Sequence, residues 1–171
     1  MLLTGTRIQI RRDGSSKEIE RLMISDIVYC PLSDKLVEIV DILSRTVEIA
    51  ESKDDNEENW APVLVPQHAI SRGCPKAPLY VSPRQQIFVF QQEDACATNV
   101  KSVGLVSAID KFSRNSGNKK FATFHAIFLD HARPIVANGA LCMCYGPELF
   151  SKSLDLKAQM INRDFQHIGG Q

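Results

Sequence analysis

The chain has 171 residues, 44% of them hydrophobic, and Lys+Arg and Asp+Glu balance at 20 each. That length supports one domain with a substantial core. The apolar fraction excludes global disorder, and the even charge gives no sign of a nucleic-acid surface or an acidic tail. No apolar run is long enough to span a membrane. The first residues lack the basic start, apolar stretch and small-residue cleavage site of a signal peptide, so cytoplasmic synthesis without signal-directed export is expected. Five cysteines (Cys30, Cys74, Cys96, Cys142 and Cys144) are odd in number and irregularly spaced. They read as buried reduced thiols rather than a disulfide framework.

Apolar residues alternate around Ile8 and Ile10, which predicts a half-buried strand. Arg12-Asp13-Gly14-Ser15 supplies a turn with Asp-Gly as its hairpin signal. Residues 24–29 read as a short strand. Residues 36–49 fit either a strand or a helix, and their Thr and Val content tips the reading to strand. Residues 52–59 are the most polar stretch and predict an exposed acidic loop. Residues 60–70 return to strand character, interrupted by Pro62 and Pro66. Two strands, Tyr80-Val81 and residues 87–90, bracket Ser82-Pro83-Arg84-Gln85-Gln86. A strand pair with a kink at Gly104 is expected over 100–109, and a turn over 113–120. Strands follow at 121–129 and 135–136, and the alternating Leu141-Cys142-Met143-Cys144-Tyr145 reads as a core strand. Leu149, Phe150, Leu154, Leu156, Met160, Ile161 and Phe165 then recur at roughly helical spacing, which predicts a C-terminal helix with a frayed end at 167–171. The expectation is an all-β domain over residues 1–146, followed by a helix and tail over 147–171.

Four segments, in order, carry a resemblance. They are Leu3-Thr4-Gly5-Thr6-Arg7-Ile8; Ser25-Asp26-Ile27-Val28; Leu79-Tyr80-Val81-Ser82-Pro83-Arg84-Gln85-Gln86-Ile87; and Phe124-His125-Ala126-Ile127-Phe128-Leu129-Asp130 with Ala137-Asn138-Gly139-Ala140. Together they resemble the bacterial branch of the Hint family, the self-processing fold shared by hedgehog proteins and inteins. The resemblance implies a flat, horseshoe-shaped disk of short antiparallel strands with pseudo-twofold symmetry, its two chain ends meeting near the active centre. It also implies an N-to-S acyl shift, in which a cysteine at the first position attacks the peptide bond just upstream.

The residues at the implied site depart from that chemistry. Met1 stands where the family has its cysteine; a thioether has no proton to lose and cannot form a thioester. With Met1 as the start there is also no upstream bond. The family's Thr-x-x-His motif reads Ser82-Pro83-Arg84-Gln85. Ser82 can replace the threonine hydroxyl, but the Gln85 amide has no useful pKa near neutrality and cannot replace the histidine. His125 matches a family position and also fits a structural histidine. Asp130 matches the family's acidic residue, but Ala132 stands where a second histidine is common. His131 is one place off, which in a strand would turn it to the opposite face.

Other constellations are weaker. Cys142-x-Cys144 is too tight for the usual zinc or redox spacing, and His68, His125, His131 and His167 form no ligand motif. Asp54, Asp55, Glu57 and Glu58 lack the periodicity of a calcium loop. Arg11-Arg12 with Lys17, and Lys119-Lys120, read as solvated turn charges. No cofactor, metal or small-molecule substrate is expected.

A kept apolar pattern beside missing chemistry points to a non-enzymatic, degenerate Hint-fold module. Such a module would be a structural or protein-interaction part of a larger assembly, a phage virion tail or neck if phage-encoded. Protein partners or a homo-oligomer are expected, without nucleic acid or membrane. Leu149, Leu154, Met160, Ile161 and Phe165 are the candidate contact stripe, or else pack back onto their own domain. The alternatives are an autoprocessing domain whose true start lies upstream, and a remodelled thiol enzyme using Cys30 or Cys74 with His68 or His125.

Overall fold

The computed structural model describes residues 1–49, 62–91, 94–99 and 121–146. The strands there are β1 (Leu2–Leu3), β2 (Arg7–Gln9), β3 (Ser16–Glu18), β4 (Ile27–Cys30), β5 (Lys35–Glu38), β6 (Asp41–Glu48) and β7 (Val63–Val65). They continue with β8 (Leu79–Val81), β9 (Gln86–Gln91), β10 (Asp94–Asn99), β11 (Phe121–Phe128), β12 (Pro134–Ala137) and β13 (Ala140–Met143). Every pairing between them is antiparallel. One sheet has the order β6-β11-β1-β8-β7, a second β10-β9-β13-β12-β2-β3, and β4-β5 forms a separate ribbon. The described domain is therefore all-β, as the strand pattern predicts. The helix over 147–171, the loop at 52–59 and the elements at 100–120 lie outside the described residues.

Local chemistry explains the strand ends. The β2–β3 hairpin closes where Gly14 N–H donates to Arg11 O and Asp13 Oδ1 accepts from Ser15 N–H. β12 and β13 are joined by Asn138 and Gly139, both at positive φ (48° and 84°), the backbone a tight hairpin turn requires. The strand expected at 24–29 begins only at Ile27. Residues 23–26 form a turn instead, with Asp26 N–H on Met23 O, Asp26 Oδ2 on Met23 N–H, and Ser25 at φ 71°. The run 36–49 is two strands. It changes partner at Ile39 and Val40, whose N–H groups donate to Asp26 O and Phe128 O respectively. Of residues 60–70, only Val63–Val65 is strand among those described.

The main core lies between the two larger sheets. Leu2, Val63, Val65, Leu79, Val81 and Ile127 come from one, and Ile8, Ile87, Ile135, Ala137, Ala140 and Cys142 from the other; Val28 and Cys30 of β4 join them. β1 is buried on both faces because successive side chains point opposite ways. Leu2 enters the main core, while Leu3 joins Val47, Ile49, Ala122 and Phe124 in a smaller cluster, against which Met1 and Tyr80 pack.

Candidate functional site

Residue 1 sits where the two sheets meet. β1 lies between β11 and β8, with Leu2 opposite both His125 and Val81. The ladder continues one step further, Ser82 N–H donating to Met1 O at 2.8 Å. On the other side of β1, Thr6 closes a turn back onto Leu3 O through both its N–H (3.1 Å) and its hydroxyl (2.6 Å). Residues 82–85 are not a hairpin turn. β8 belongs to the first sheet and β9 to the second, so this loop carries the chain across. Gln85 N–H donates to Ser82 O and shapes the crossing.

The nitrogen of Met1 donates to Gln85 Oε1 at 2.7 Å and to Ser82 Oγ at 2.9 Å, and the Tyr145 hydroxyl lies 3.4 Å away. The Gln85 amide is fully used. Its Nε2 donates to Gln86 O (2.7 Å) and to Met143 O (2.9 Å). Gln85 thus ties the start of β1 to the end of β13, one sheet to the other. Ser82 and Gln85 are both buried.

The electrostatics around this nitrogen are neutral. Burial lowers the Met1 amine from 8.0 to about 5, outweighing the opposing pull of Cys142 and Cys144. Burial pushes the Tyr145 phenol up to about 12. It also pushes the Cys142 thiol to about 12 and the Cys144 thiol well above its usual range. The Tyr145 hydroxyl oxygen stands as a third, longer acceptor for the Met1 nitrogen. The Met1 sulfur, bonded to two carbons, has no proton to lose and cannot form a thioester.

The His125 ring hydrogen-bonds to Thr4 and Ser44 rather than to that nitrogen. Strand register sets its neighbours: it pairs with Ser44 on one side and Leu2 on the other, with Thr4 two residues on along the same face. Its Nδ1 is 2.8 Å from Ser44 Oγ and its Nε2 2.8 Å from Thr4 Oγ1. The Thr4 hydroxyl donates to Thr123 O, so Nε2–H donates to Thr4 and Nδ1 accepts from Ser44. Burial lowers the His125 pKa against the opposing pull of Glu20. The imidazole braces β6, β11 and the turn that follows β1.

Asp130 lies in a turn beyond the end of β11, where Arg133 Nη2 donates to both carboxylate oxygens at 2.8 Å and His131 N–H caps Oδ1. The strand-face expectation for His131 and Ala132 does not hold, because residues 130–132 are not in a strand. The structure therefore hydrogen-bonds Met1 to Ser82 and Gln85, while His125 bonds to Thr4 and Ser44 and Asp130 bonds to Arg133. Sequence reasoning missed Tyr145, and it missed Thr4 and Ser44 around His125. Thr4 lies within the first resemblance segment, but its pairing needs the β1–β11 register, which no local signal sets.

Asp26 holds a turn rather than a reacting group, since its Oδ2 accepts from Lys17 Nζ at 2.7 Å and from Met23 N–H at 2.8 Å. Among the described residues no hydrogen bond joins Cys30 or Cys74 to His68 or His125. Cys74 Sγ donates to Gly139 O, His68 Nδ1 accepts from Gly73 N–H, and burial raises Cys30 to about 11. Among the described residues no group of three or more His, Cys, Asp or Glu is arranged to hold a metal ion.

This all-β domain fixes the nitrogen of its first residue between the Ser82 hydroxyl and the Gln85 side chain of a loop that crosses from one sheet to the other. The profile of the Hint domain family matches residues 2–148, and the chain belongs to that family. A comparison with curated proteins finds no significant match.

Proposed function

We propose that this chain is a Hint-fold module that performs no peptide-bond chemistry and serves as a structural or protein-interaction part of a larger assembly. The observation that carries the reading is the shell around the nitrogen of residue 1. Gln85 supplies the acceptor oxygen there but spends both amide hydrogens on Gln86 O and Met143 O. Amide-bond breakage in this fold needs a thiol or hydroxyl nucleophile at residue 1 and a group that protonates the departing nitrogen. Met1 lacks the first and Gln85 the second. What remains is a well-bonded junction between two sheets, useful for shape.

The test is a fusion with a stable carrier protein placed upstream of Met1, incubated with and without an added thiol or hydroxylamine. The expected result is one species of full-length mass under both conditions. Release of the carrier at the bond preceding Met1 would return the chain to the autoprocessing enzymes.

A further inference from the structure

The β4–β5 ribbon carries an apolar face that the described domain leaves open. Its inner side chains, Val28 and Cys30, are in the main core. On the outer side Ile27 is 47% and Leu36 50% exposed. Ile27 pairs with Glu38 and Tyr29 with Leu36, which makes Ile27 and Leu36 diagonal neighbours on one face, within side-chain reach. The ladder extends past the ribbon, since Ser25 N–H donates to Ile39 O. That contact brings Met23 (65% exposed) and Ile24 (60%) to the Val40 (48%) end of the same region. Isolated exposed apolar residues are ordinary, but Ile27 and Leu36 as diagonal neighbours on the ribbon, with exposed Met23, Ile24 and Val40 at its end, mark a contact surface.

The position at which the described chain ends identifies the occupant. Phe128 O accepts from Val40 N–H on one side of β11, and Phe128 bridges to Tyr145 on the other. Two strand spacings separate Val40 from Tyr145, roughly 10 Å. The described chain therefore ends, at residue 146, about two strand spacings from Val40. Residues 147–171 carry Leu149, Leu154, Met160, Ile161 and Phe165 at roughly helical spacing. A stretch of that length reaches roughly 30–40 Å even when helical, enough to cross the ribbon and return.

We infer that residues 147–171 dock in cis on the outer face of the β4–β5 ribbon, the apolar stripe of the segment covering Ile24, Ile27, Leu36 and Val40. This assigns the stripe to the chain's own domain rather than to a foreign partner, and it stands whether or not the module is catalytically inert.

The test uses the full chain with a photo-crosslinking phenylalanine analogue in place of Leu36, and separately in place of Ile27. Equal mixtures of isotopically light and heavy protein separate intrachain from interchain products. The expected product has monomer mass, joins position 36 or 27 to a peptide within residues 149–165, and pairs light only with light. A Leu154→Asp, Ile161→Asp double variant of the same full chain should lose that product while keeping its melting transition. Mixed light–heavy dimers would assign the face to a second copy and overturn the inference. Absence of any crosslink to residues 149–165 from both positions would overturn it equally.

Discussion

Replacing Gln85 by leucine tests whether the residue at the family's histidine position holds this fold together. The volumes are similar, so little cavity forms and the change is almost purely one of hydrogen bonding. The wild-type amide makes three bonds: from Met1 N, to Gln86 O and to Met143 O. Leucine leaves all three partners without their Gln85 contact in a buried setting. The amine keeps Ser82 Oγ, which softens the loss on that side. At about 1 kcal/mol for each partner left short, the cost is about 3 kcal/mol. For a domain of this size that corresponds to a fall in Tm of about 6–12 °C. Urea denaturation with a two-state fit, run beside a thermal melt, measures both. A loss below about 1 kcal/mol would show that the inter-sheet tie carries no weight, and the account of Gln85 as a structural clamp would be wrong.

Three further outcomes follow from the same geometry. The Met1 amine and His125 are bases with folded-state pKa values below their free values, the first at about 5 against 8.0. Between those values the unfolded chain binds the proton and the folded one does not. Stability should therefore be greatest above about pH 8 and fall as the pH drops to 5, which urea midpoints across that range will show; a flat or rising profile would refute the burial argument. Cys30, Cys142 and Cys144 should resist alkylation by iodoacetamide at pH 8 in the native protein and react fully in denaturant, because burial holds their thiols protonated; one rapidly modified native thiol among them would revive a thiol enzyme. Gly139→Ala should destabilise by about 2 kcal/mol in a thermal melt, since a Cβ there would lie 2.6 Å from Lys76 Cγ and 3.0 Å from the Lys76 backbone nitrogen, at φ 84°.

The parts of the fold that local chemistry dictates are legible in the sequence, and the parts set by register are not. Asp13-Gly14 announces the β2–β3 hairpin because the turn needs a residue free of Cβ at that point. The apolar run of β11 announces a strand buried on both faces. The break at Ile39 and Val40 leaves no mark, since both residues favour strands and only the change of partner from Asp26 to Phe128 divides them. At the site, Met1, Ser82 and Gln85 can be placed because the crossing loop is contiguous and the motif spacing is fixed. His125 cannot, because its neighbours Thr4 and Ser44 are separated from it by 121 and 81 residues along the chain and meet it only through strand pairing. A strand-face argument at Asp130 fails because β11 has already ended. The Arg133 fork beyond that end is a contact between side chains three residues apart, visible in sequence only once a turn is assumed.

The geometry around residue 1 has a folding role that does not depend on catalysis. β1 is only Leu2–Leu3, yet it is an interior strand and both its faces are buried. A strand that short cannot hold its register by its own ladder. Its start needs an anchor, and any polar group brought into that junction needs partners or it costs free energy. The Ser82 hydroxyl and the Gln85 carbonyl oxygen supply those partners. The Gln85 amide hydrogens in turn satisfy two carbonyls that would otherwise lose a donor. The same placement serves a cleaving enzyme and an inert scaffold, because folding alone demands an acceptor at position 85. Chemistry additionally demands a nucleophile at position 1 and a titrating group at position 85, and in this chain those positions hold a thioether and an amide.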